Sequence, residues 1–134
     1  MFFLTDKNEL AKVEEAVNYY ANGAIKRDYE YLAKGWHADC VMYGANPEGK
    51  LKGLGLDFWK ESMSKPIDDP TYTRTSDIEK VDIHGTAASA KVKTVVESSK
   101  GTIIFMDYLN LLKMGEKWWI VNKIYDTTRI PKED

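Results

Sequence analysis

The chain reads as an α+β protein, and three observations predict it. Helical signals are confined to the first half, where apolar residues recur at three- and four-residue spacing. From Thr71 onward the chain reads as consecutive strands separated by short turns. The last two of these, TIIFMDYLNLL and KWWIVNKIY, carry apolar side chains on both faces. A half-wet antiparallel strand alternates apolar and polar residues. Strands apolar on both faces need cover on each side, so helices are expected on one face and a second copy of the chain on the other. Cover by a C-terminal segment or a bent neighbouring strand is the alternative.

The first helix is introduced by Asp6 and Glu9, spaced as a capping box. Leu10, Val13, Val17, Tyr20 and Ala24 then fall on one helical face, with Gly23 near its end. Asp28 is placed to cap a short second helix over Tyr29–Lys34, which Gly35 would close, with Leu32 and Trp36 pointing inward. Cys40–Tyr43 reads as a short strand. The segment GANPEGKLKG has turn chemistry at Asn46-Pro47 and Glu48-Gly49. A third helix is predicted over Leu56–Met63, with Leu56, Trp59 and Met63 on one face. Strands follow over Thr71–His84, Ala87–Glu97, Thr102–Lys113 and Lys117–Thr127, joined near Gly85-Thr86, Ser98–Gly101 and Gly115-Glu116. Strict alternation along the last two strands puts Ile103, Phe105, Leu109 and Leu111 opposite Ile104, Met106, Tyr108 and Leu112. It likewise puts Trp119, Val121 and Tyr125 opposite Trp118, Ile120 and Ile124. The tail PKED is expected to fray.

A length of 134 residues fits a single domain, expected over 1–134. The net charge of -2 is spread along the chain with no basic block, which argues against nucleic acid as a partner. One cysteine, Cys40, excludes an intrachain disulfide and multi-cysteine metal sites. The start, MFFLTDKNEL, lacks a signal-peptide pattern, and no segment is long enough to span a bilayer. The expected compartment is therefore the cytoplasm, with no membrane partner.

The segments YYANGAIKRD, YLAKGWHADCVMYG and FMDYLNLLKMGEKWWIVNKIY resemble the nuclear transport factor two-like superfamily. Within it they look most like the putative lumazine-binding, polyketide-cyclase-like branch. The resemblance runs from about Leu10 to Tyr125. It implies a cone-shaped, cystatin-like α+β barrel, in which three N-terminal helices pack on the concave face of a strongly bent antiparallel sheet. It also implies a cavity at the mouth of the cone and, in many members, a homodimer through the convex face. The superfamily holds steroid isomerases, polyketide cyclases, dehydratases and plain binding or assembly domains, so the fold leaves the function open.

Asp107 is the first candidate site residue. Phe105 and Leu109, two positions away on each side, place it on an apolar face, where a carboxyl can serve as acid, base or hydrogen-bond donor. It resembles the acid with which steroid isomerases hold an oxyanion; it reads equally as a carboxylate locking the cone. Tyr20 resembles the isomerase tyrosine of the same site, and also reads as a core tyrosine whose hydroxyl finds a partner. The position of the isomerase base falls near Gly44, which removes the main actor of proton abstraction. His37 could assist Asp107, or bond backbone at a helix end; His84 falls beside a turn and is expected to be solvated. His37 and Asp39 lack a third ligand at suitable spacing, so no metal is expected. Trp36, Trp59, Phe105, Trp119 and Tyr125 form an aromatic set suited to a flat apolar ligand, or simply to a core. Lys123 joins Asp107 only if the last hairpin has an odd loop; with a two-residue turn it faces away.

These readings point to a protein that holds a small, largely apolar molecule in the cone, without a cofactor. One alternative is a lyase, cyclase or isomerase using Asp107 as general acid or base. Another is a dimerisation domain with a filled cone.

Overall fold

The computed structural model describes residues 7–133. Helix α1 (Lys7–Lys26) leads into α2 (Tyr29–Leu32), strand β1 (Trp36–Ala45), strand β2 (Leu51–Leu54) and helix α3 (Leu56–Ser64). Four long strands follow: β3 (Thr73–His84), β4 (Ala87–Ser98), β5 (Gly101–Met114) and β6 (Lys117–Pro131). The α+β class and the segregation of helices to one face agree with the sequence. The expected capping residue Asp6 lies outside the described residues. No described helix is long and apolar enough to cross a membrane.

Helix α1 buries Val13, Ala16, Val17, Tyr20, Ala21 and Ala24, the predicted face widened by its alanines. Leu10, assigned to that face, is exposed instead. Asp28 caps α2 as expected, its carboxylate accepting from the Tyr31 amide at 3.0 Å. Gly35 lets the following turn pass against α1: a Cβ there would meet the Ala16 carbonyl oxygen, with Tyr19 Cβ at 3.0 Å. The Gly35 carbonyl accepts from the Ile120 amide at 2.8 Å, which ties this turn to the last strand.

The six strands form one curved sheet in the order β2-β1-β6-β5-β4-β3. Contrary to the expectation of a wholly antiparallel sheet, β1 runs parallel to β6. The reason is connectivity: β1 reaches β6 only after the intervening β2, α3 and three-strand meander, so it need not reverse direction. Helix α1 packs on β3, β6 and β1, and α3 packs on β1. The core lies between these helices and the concave face, built from Val13, Val17, Leu32, Trp36, Val92, Leu109, Leu111, Trp118 and Ile120.

The alternation predicted for β6 is corrected by one residue. The β5–β6 turn has two residues, Gly115 and Glu116, both with positive φ (58° and 68°), the conformation that matches strand twist in tight hairpins. The register then slips: Leu111 faces Ile120, but Asn110 faces Asn122, leaving Val121 as an extra residue. This β-bulge reverses the facing of everything after it. Trp118 and Ile120 therefore point inward together with Lys123 and Tyr125, while Trp119 and Ile124 share the outer face. Along β5, inward Asp107, Leu109 and Leu111 are buried, and outward Tyr108 and Leu112 are exposed.

The far end of the hairpin is fastened to the start of α1. Glu9 accepts from Lys113 Nζ at 2.8 Å and from Trp118 Nε1 at 2.7 Å. Lys113 first, then Trp118, hold the Glu9 carboxyl below its ordinary range.

Candidate functional site

The bulge in β6 brings a lysine, a tyrosine and an aspartate together inside the cone. Tyr20 projects from the core face of α1, Asp107 from the middle of β5, and Lys123 from β6 just past the bulge. The Tyr20 hydroxyl donates to Asp107 Oδ2 at 2.6 Å. Lys123 Nζ donates to the Tyr20 oxygen at 2.7 Å and lies 3.3 Å from Asp107 Oδ1. Tyr20, Asp107 and Lys123 are 1%, 0% and 4% exposed, so the cluster is closed to bulk water. The tyrosine satisfies Asp107 Oδ2, while Oδ1 faces Lys123 as an ion pair without a hydrogen bond, so the burial of this pair is only partly compensated.

The cluster's protonation follows from its surroundings. Burial, then the Asp107 charge, drives the Tyr20 hydroxyl well above its ordinary pKa, so it stays a neutral phenol. Burial pulls Lys123 down to about 8 against the opposing pull of Asp107, and the nearby Arg74 charge adds to the depression. Cys40, buried alongside in β1, is pushed up to about 12 by desolvation, which leaves it an inert thiol.

Beside the cluster lies a cavity of about 230 Å³. Four of the aromatic and charged candidates reach its wall: Trp59, Phe105, Tyr125 and Lys123. Asp107 and Tyr20 sit behind Lys123 rather than on the wall. Trp36 is deeper, 1% exposed, with its ring centroid 5.3 Å from Tyr20 and 5.7 Å from Trp59. Two candidates lie elsewhere. Trp119 is on the outer side of β6, where its ring meets His37 edge-on at 5.5 Å and Lys117 stands over it. His37 Nδ1 accepts from the Asp39 amide at 3.0 Å, the backbone role weighed for it. His84, at the end of β3, is exposed. Among the described residues no cluster of three or more His, Cys, Asp or Glu side chains could hold a metal ion.

Gly44, where an isomerase base would stand, is covered by Tyr125. A Cβ there would lie 2.7 Å from the Tyr125 ring. The phenol end of Tyr125 lies against this bare backbone, and Tyr125 lines the cavity.

The sequence reading missed Met42, Leu54, Phe58, Ser62 and Arg74, which complete the wall. Arg74 carried a usable signal. Counting back by twos from Ile78 along β3 gives Ser76 and Arg74, both partly buried where their neighbours are exposed. The guanidinium packs 5.8 Å from the Phe105 ring. Its Nε is buried without a hydrogen-bond partner, as is Nε1 of Trp59.

Solved structures with this architecture are numerous. An NTF2-like protein of unknown function from Shewanella baltica is 26% identical, with a TM-score of 0.78 over 96% of this chain and 100% of that one. Another from Methylobacillus flagellatus is 28% identical, with a TM-score of 0.74 over 92% and 95%. A ketosteroid isomerase-like protein from Erwinia carotovora is 17% identical, with a TM-score of 0.68 over 93% and 100%, and shares the fold. The chain is thus a nuclear transport factor two-like protein. Within that superfamily it belongs to the family described as Putative lumazine-binding, which matches residues 8–126. No curated protein matches its sequence.

Proposed function

We propose that the protein binds a small, largely apolar molecule in the cavity between α3 and the concave sheet. The observation that carries this reading is the cavity itself. Its wall is formed mainly by Met42, Leu54, Phe58, Trp59, Phe105 and Tyr125, with a few polar groups at one side. Apolar walls with a few placed polar groups are the usual composition of a ligand site. At about 230 Å³ the space lies below the roughly 300–1,000 Å³ of drug-sized pockets, so the ligand is a single ring or a short branched chain. The family's description is that of a small-molecule binder.

The enzyme alternative has less support. A general acid or base must reach the proton it moves. Asp107 is spent on Tyr20 and Lys123 and has no surface on the cavity. The filled-cone alternative is disfavoured by the open space beside Trp59. A second part of the proposal concerns the outer face: two copies pair through it. Tyr108, Leu112 and Ile124 are 47%, 41% and 51% exposed on adjacent strands, an apolar surface interrupted only by the Asn110–Asn122 pair, and a two-fold partner would cover it.

Titration with a neutral single-ring probe, benzamide, followed by tryptophan fluorescence, tests the cavity. Saturable binding is expected, and it should vanish in Ser62→Trp, which fills the space from α3. Binding that is absent, or unchanged in that variant, would count against a cone ligand.

A further inference from the structure

Resting on the cavity reading above, we infer that the ligand is a compact organic anion, a carboxylate or its equivalent, whose head sits against Arg74 and Lys123 while its apolar body packs on Trp59 and Phe105.

Three features of the wall carry this. The first is charge. Two cationic side chains, Arg74 and Lys123, line one cavity, and no carboxylate does. Among the described residues, the only acid paired with either is Asp107, which lies behind Lys123 and is 0% exposed. Arg74 has no ion-pair partner among the described residues. The pocket therefore holds an excess of positive charge within apolar walls, where charge is costly unless paired.

The second feature is hydrogen-bond sense. Arg74 Nε and Trp59 Nε1 are buried and unpartnered, and both are donors only. Lys123 Nζ has three hydrogens; it donates one to Tyr20, and Asp107 Oδ1 stands 3.3 Å away as an ion-pair partner without a hydrogen bond, so donor capacity remains for the cavity. Unmet donors on a wall without a carboxylate select an acceptor, and an anionic one makes the stronger bonds. The Tyr20 hydroxyl cannot compete for that role as donor, because its proton is already committed to Asp107.

The third feature is rigidity. Arg74 stacks over Phe105, which fixes its long side chain, and Lys123 is held by two partners. Both groups wait in position, which reduces the ordering cost of binding. Burial is the main cause of the depressed Lys123, with Arg74 adding to it, and an anion between the two cations would offset both the desolvation and their mutual repulsion.

The test compares benzoate with benzamide, which have the same shape and differ in charge, by titration calorimetry on the full chain. Benzoate should bind wild type about tenfold tighter or better, the scale of one charge-assisted hydrogen bond. Arg74→Met should weaken benzoate far more than benzamide and so shrink that preference several-fold. Arg74→Lys, which keeps the charge, should retain part of it. Equal affinities in wild type would overturn the anion while leaving the cavity reading intact. Failure of both probes to bind would defeat the two readings together. A preference undiminished in Arg74→Met would remove Arg74 from the site. Should that variant fail to fold, the wild-type comparison still decides the charge of the ligand.

Discussion

Lys123, Tyr20 and Asp107 form a cluster in which each member makes the others tolerable. Remove one partner and a buried charge or acceptor is stranded. Asp107→Asn should lower unfolding stability by about 3 kcal/mol, measured by urea denaturation. Adding Lys123→Met should recover part of that loss, since the uncompensated amine goes with it; strictly additive losses would contradict the pairing. The lysine also gives a pH signature. Its folded pKa, about 8, lies below the ordinary 10.5, so between those values the unfolded chain holds more protons. This group's contribution to stability therefore rises from about pH 8 to about pH 10.5. Wild type measured against the Asp107→Asn/Lys123→Met double variant should gain stability across that window, and a flat difference would show that Lys123 is not depressed. Asp107 and Tyr20 were legible in the sequence because apolar neighbours at the right spacing fixed their faces. The facing of Lys123 was not, because it depends on where a bulge falls rather than on the turn. Arg74 is harder to see, because the inward row of β3 loses its apolar character before Ile78, at Ser76 and Arg74.

At the scale of elements, the β5–β6 hairpin decides the site. A two-residue turn alone would send Lys123 to the outer face. The extra residue at Val121 reverses it and leaves Trp119 outside with His37. No local sequence signal marks Val121, which is an ordinary strand former between an isoleucine and an asparagine. The helices were easier to read: Asp28 and the spacing along α1 are local signals, and tertiary packing only widened the buried face. The parallel pairing of β1 with β6 joins segments some eighty positions apart in the chain and leaves no local trace. Gly35 is a tight joint between α1 and the turn before β1. Gly35→Ala should lower stability by about 1–3 kcal/mol, the range for overpacking, because the Ala16 carbonyl and Tyr19 bound its space. A melting temperature equal to wild type would mean that the turn can move off α1 at little cost.

For the whole molecule, two surfaces remain to be matched with partners: the cavity inside the cone and the apolar row outside it. The outer row was legible from strands apolar on both faces, although the bulge changes its membership in β6. If two copies meet there, sedimentation velocity should show a dimer, and Ile124→Glu should return it to a single subunit without changing benzamide binding. A wild-type monomer at micromolar concentration would remove the paired arrangement and leave the cavity reading untouched. The fold itself followed from the order of helices and strands, whereas the ligand chemistry became readable only when Arg74, Lys123 and Trp59 were found on one wall. The most direct measurement of the central claim is native mass spectrometry of the protein purified gently from cells. An added small-molecule mass is expected on each wild-type subunit and none on Ser62→Trp. Bare wild-type subunits, or the same added mass on both proteins, would contradict it.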